Sequence, residues 1–164
     1  MSDQSLLEGR GARPQLVMSA AAVMTVLSVG VTLAASAGAD EVDMVTNAVT
    51  AARAGTPCGP LHPNPTVQRV AEVINKSFKD WADHAASHAP IEDPLPGLKE
   101  LGYRGSKGVY FGGASTKSQA EAIRAALLEG YTSIPDCSYS DIGATMVLDE
   151  RSGQNLVAVV LAGP

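Results

Sequence analysis

The chain has only three imidazoles, His62, His84 and His88, and general acid–base or metal chemistry would have to start from one of them. His84 and His88 stand one helical turn apart, a spacing that can bring two metal-ligating nitrogens to one face. They fall where an apolar helical stripe runs out. A histidine there gains from the helix dipole and can cap the last carbonyls with no metal present, and this reading is preferred. From residue 40 onward serines occur at 77, 87, 106, 115, 118, 133, 138, 140 and 152, none of them in a G-x-S-x-G elbow. Glu92 and Asp93 are adjacent, so their carboxylates point apart more readily than together and read as loop charges. The glycine-rich stretch Gly108–Gly113 lacks the Lys-Ser/Thr of a phosphate loop, although Gly112-Gly113 precedes a helix start that could hold an anion. No catalytic residue, metal ligand set or cofactor site is expected.

The two cysteines, Cys58 and Cys137, form an even pair with no third ligand nearby and no C-x-x-C spacing. A structural disulfide is preferred over a metal, redox or nucleophilic role, provided the compartment is oxidising. The N-terminus argues that it is. Arg10 and Arg13 precede an uncharged run from Pro14 to Ala39 that ends in small residues, and the charges resume at Asp40. This is the pattern of a secretory leader, with Ala39 and Asp40 flanking the preferred cleavage point. The run is also long enough to span a bilayer, which would attach the chain to a membrane through residues 16–37. Cleavage is favoured because Ser19, Thr25, Ser28, Gly30 and Thr32 dilute the run. A buried core helix is a third and weaker reading. Residues 1–39 are thus read as signal peptide or anchor, and 40–164 as one extracytoplasmic domain. The four charges of the first 39 residues cancel, so the net charge of −5 belongs to that domain. An acidic domain has no electrostatic footprint for nucleic acid.

The periodicities predict helices over 40–54 and from Pro65 to about Ala85, the second capped by Asn64. In the second helix Val67, Val70, Ala71, Ile74, Phe78, Trp81, Ala82 and Ala85 form one stripe, with Phe78 and Trp81 expected in the core. Residues 88–114 are loop-rich, with a helical turn near Leu95–Leu101 and a short extended piece at Val109–Phe111. A third helix starts near Ser115, with Thr116 and Gln119 as a capping box and Ala120, Ile123, Leu127 and Leu128 inward. The end reads as an antiparallel hairpin, Tyr139–Leu148 and Leu156–Leu161 about the turn 149–153, its second strand buried on both faces. Helices packed on a small antiparallel sheet give an α+β domain.

Three strings in this order resemble the CAP superfamily, the SCP-like extracellular proteins of the pathogenesis-related type. They are GPLHPNPTVQRVAEV, then SHAPIEDPLPGLKELGY, then Tyr139-Ser140-Asp141-Ile142-Gly143 ahead of ATMVLDE and NLVAVVLAG. The resemblance spans most of residues 42–163 and implies a three-layer CAP-like sandwich. In that family a cleft often holds two histidines and two acidic residues around a divalent metal. His88, or less readily His84, stands for the first histidine. Gly108-Val109-Tyr110 replaces the glutamate motif, Glu129 follows Ala126-Leu127-Leu128, and Gly130, Tyr131 and Thr132 occupy the place of the second histidine. The implied cleft is metal-free, with His88, Tyr110, Phe111, Glu129 and Tyr131 as its candidate residues. The expectation is an exported, non-catalytic domain that binds a protein partner or an apolar ligand in the cell envelope or outside the cell. Two alternatives stand beside it: an envelope hydrolase using His88 with Glu129 or a serine, and an accessory subunit held to a membrane complex by an uncleaved N-terminal helix.

Overall fold

A computed structural model describes residues 37–164; the expected leader, through residue 36, lies outside them. The chain runs α1 (Ala37–Ala54), β1 (His62–Pro63), α2 (Pro65–Ala82), α3 (Leu95–Glu100), β2 (Lys107–Ser115), α4 (Gln119–Glu129), a 3-10 turn (Gly130–Thr132), β3 (Asp141–Asp149) and β4 (Gln154–Gly163). Ala39 and Asp40, the expected cleavage pair, stand in the first turn of α1. Among the described residues no helix is long and apolar enough to cross a membrane.

The strands form one sheet in the order β1-β3-β4-β2, with β1 parallel to β3 and the other pairs antiparallel. β4 is central. Its Val159 pairs with Phe111 of β2 on one side and Ala144 of β3 on the other. The alternation of β4 divides the core. Val157, Val159 and Leu161 join Val45 and Val49 of α1, Ala122 and Ala126 of α4, and Phe111 on one face. Ala158, Val160 and Ala162 join Val67, Val70, Ala71 and Ile74 of α2 and Leu98 of α3 on the other. The result is the expected α+β sandwich of three layers, with the second hairpin strand buried on both faces.

The elements depart from expectation where packing overrides local pattern. α2 starts as its cap predicts, the Asn64 side chain accepting from the amides of Thr66 and Val67. It ends at Ala82, with His84 in the left-handed region at φ 55°, so Ala85 is not helical. Trp81 is 48% exposed rather than in the core. Two residues earlier the helix already meets the end of β3 at the β3–β4 turn, the Lys79 ammonium lying 3.5 Å from the Asp149 carboxylate. β2 has nine residues where only three were expected to be extended, because its glycines hide the alternation. It runs to Ser115, so Ser118 rather than Thr116 caps α4, its Oγ accepting from the Glu121 amide at 3.2 Å. α4 turns Ala122 and Ala126 inward, leaving Ala120 and Leu128 exposed. Gly113 of β2 explains this: a Cβ there would collide with the α4 backbone at Ala122 and Ala126, so only a small-residue face can approach. β1 was not foreseen, since a two-residue strand ending in proline carries no periodicity.

Cys58 and Cys137 are disulfide-bonded with Cα atoms 4.9 Å apart, tying the loop after α1 to the approach to β3. Arg53 reinforces the tie from beneath. It continues the Val45–Val49 face of α1, is 2% exposed, and donates only to backbone carbonyls. Its Nε reaches Gly59 at 3.2 Å, Nη1 reaches Ile134 and Asp136, and Nη2 reaches Tyr139 at 2.7 Å.

Candidate functional site: an acidic hollow at the sheet edge

A hollow of about 520 Å³ is lined from five segments. α2 contributes Asn75 and Phe78, the loop before α3 Glu92, β2 Tyr110 and Gly112–Ala114, the end of α4 Glu129, and β4 Leu156 and Val157. α2 packs on one face of the sheet and α4 on the other, so a hollow touching both passes around the β2 edge.

Each polar group arrives for a local reason. Asn75 lies within the inward face of α2 and is 2% exposed. Its Nδ2 donates to the Leu156 carbonyl at 3.0 Å and, at 3.5 Å, to that of Thr145. Its Oδ1 accepts nothing from any described residue. Tyr110 stacks on Phe78 with ring centroids 5.3 Å apart. Its hydroxyl lies over Gly112, where a Cβ would strike it. Burial first, then the Glu129 and Glu92 carboxylates, push the Tyr110 phenol well above its usual range, so it stays a neutral donor. Glu92 and Glu129 are exposed and have no ion-pair partner among the described residues. No basic side chain lines the hollow.

Of the residues expected in the cleft, Tyr110 and Glu129 meet here. Phe111 is 1% exposed on the opposite face of β2, in the core with α1 and α4 and against Gly130. Alternation turns Phe111 to the face opposite Tyr110, and there its ring is enclosed by the core rather than left facing the hollow. Tyr131 is 72% exposed on the 3-10 turn and not part of the wall. His88 is exposed in the loop after α2, its Nδ1 2.9 Å from the Ser87 hydroxyl, and does not border the hollow. His88 and Glu129 are therefore not assembled there as a hydrolytic pair. Among the described residues no group of three or more His, Cys, Asp and Glu side chains is placed to hold a metal ion. Asn75 and Glu92 are additions. A polar residue at an inward position of α2, between Ile74 and Phe78, was the available signal for Asn75. Nothing local marks Glu92, which reaches the site only through the path of its loop.

This arrangement of helices about the sheet is the CAP/SCP fold. Solved structures with the same fold include an outer surface protein from Borrelia burgdorferi, at TM-score 0.60 and 10% identity, covering 76% of this chain and 92% of that one. A cysteine-rich secretory protein from Staphylococcus aureus matches at TM-score 0.59 and 10% identity, covering 79% of this chain. An extracellular protein containing an SCP domain from Bacillus anthracis matches at TM-score 0.58 and 11% identity, covering 77% of this chain. The match spans only 40% and 41% of the lengths of those two. No family model and no curated protein matches the sequence.

Proposed function

We propose that this chain is an extracytoplasmic binding domain, not a catalyst, whose hollow receives the cationic end of a ligand with an apolar body. The observation that carries the reading is the set of open acceptors. Glu92, Glu129 and Asn75 Oδ1 all lack donors, and they stand beside an aromatic wall of Tyr110 and Phe78 with no competing basic group. An ammonium or guanidinium offers several donors, and the carboxylates favour charge-assisted bonds. The rings, with Leu156 and Val157, suit an attached alkyl or aryl portion. This refines the expected apolar ligand into an amphipathic one. The leader-like N-terminus, the disulfide between Cys58 and Cys137 and the secreted or surface descriptions of fold relatives support an extracytoplasmic location.

Titration calorimetry with hexylguanidinium, hexanoate and zinc ion tests the reading. Hexylguanidinium is expected to bind saturably and hexanoate not at all. Losing one charge-assisted partner costs ~1.5 kcal/mol or more, so Glu129→Gln should weaken binding by about tenfold. Tight zinc binding lost in His88→Ala, with no cation binding, would reject it.

A further inference from the structure

The hollow lies against the outer edge of the sheet, where the strand is buried at Phe111 and Gly112 and more exposed toward its ends. β2 is an outer strand of nine residues. Among the described residues its backbone makes hydrogen bonds only to β4, the last of them from the Asn155 side chain to the Ser115 carbonyl. An antiparallel edge strand presents alternate amides and carbonyls outward, and proteins usually blunt such edges with proline, bulges, charge or a covering segment. β2 has no proline, pairs with β4 without a bulge from Lys107 to Ser115, and carries its only charge at Lys107. Beside the hollow, at Gly112–Ala114, no side chain on the strand exceeds a methyl group. The other side of the sheet differs: β1 covers the start of β3, and the Gln68 side chain accepts from the Ala144 amide at 2.9 Å.

We propose that an extended segment of a partner polypeptide adds to the outer edge of β2 as a further strand and places a lysine or arginine side chain in the hollow. This rests on the cation-binding reading above and names the class of ligand. Main-chain hydrogen bonds to the edge would supply affinity, and the hollow would select the side chain at one position. The charge pattern selects the occupant. The domain carries the chain's net −5, and the hollow adjoining the edge holds two unpaired carboxylates and the open Asn75 Oδ1, so a basic strand is complementary and an acidic second copy is not.

The test selects a phage-displayed library of random linear peptides on the purified full chain. Enriched peptides are expected to carry Lys or Arg at one fixed position among β-branched residues. An enriched peptide should slow amide exchange in β2 and lose at least tenfold in affinity for the Glu92→Gln/Glu129→Gln variant. N-methylating the amides of its pairing edge should abolish binding. Equal affinity of the N-methylated peptide, unchanged exchange in β2, or enrichment with no basic position would overturn strand addition. Hexylguanidinium distinguishes the two failures. If it still binds, only the strand proposal falls; if it does not, the cation-binding reading falls as well. Concentration-dependent dimerisation that protects the same β2 amides would assign the edge to a second copy and overturn the proposal.

Discussion

At the residue scale, the side chains that matter are polar groups in apolar settings. Arg53 is the extreme case: a buried guanidinium with no carboxylate, its charge spread over the carbonyls of Gly59, Ile134, Asp136 and Tyr139. Arg53→Ala would strand those acceptors, and each unsatisfied buried group costs ~1–3 kcal/mol, so a loss of about 3 kcal/mol or more is expected in reversible denaturation. Arg53→Lys should recover only part of it, since an ammonium cannot span carbonyls arranged for a planar fork. Asp149 closes the β3–β4 turn by accepting from the Ser152 hydroxyl and from the amides of Arg151 and Ser152. The Ser152 hydroxyl first, then those amides and the Lys79 charge, outweigh burial and hold its carboxyl below the usual range. The stability from this lowered value is present above the unfolded carboxylate pKa of about 3.9 and is lost as pH falls through the lower folded value. Asp149→Asn should therefore lower stability at neutral pH and flatten the acid limb of a stability-against-pH curve. Neither residue was legible in the sequence. Arg53 reads as an ordinary last-turn cation, and the value of Asp149 depends on a turn whose geometry alternation alone does not give.

At the element scale, the periodic segments were legible and the glycine-rich ones were not. α2 could be read from Asn64, Pro65 and its stripe because helix period and capping chemistry agree. β2 could not, because Gly108, Gly112 and Gly113 interrupt its alternation for reasons that lie in other elements. Gly113 is small because the α4 backbone lies on it, and Gly143 of β3 is small because the α2 backbone at Val67 and Gln68 lies on it. Gly143→Ala should cost ~1–3 kcal/mol by overpacking, whereas Gly153→Ala, with open space about it but φ 70°, should be destabilising only through backbone strain. Thermal melts of the two variants check the contrast. If both lose equal stability, the close approach of α2 to β3 is not what fixes Gly143.

At the scale of the whole molecule, the fold class was legible from three strings in their order, because each belongs to an element the core depends on. The strand order and the hollow were not, since Asn75, Glu92, Tyr110, Glu129 and Leu156 come from segments far apart in sequence and meet only once the sheet is assembled. The disulfide closes a separation of 79 residues, for which chain-entropy models give ~4–5 kcal/mol. Cys58→Ala/Cys137→Ala should lose about that much in denaturant unfolding, but keep its hollow, because Arg53 still joins the same two loops. The leader proposal predicts a mature protein beginning at Asp40, which intact mass decides against a retained segment. The central claim is that the hollow recognises a cation. It is tested most directly by following the backbone amides of Gly112, Gly113 and Ala114 and the Asn75 side-chain amide by NMR during titration with hexylguanidinium. Saturable shifts confined to these groups, and absent in the Glu92→Gln/Glu129→Gln variant, are predicted. Shifts that persist unchanged in that variant, or that map elsewhere on the domain, would contradict it.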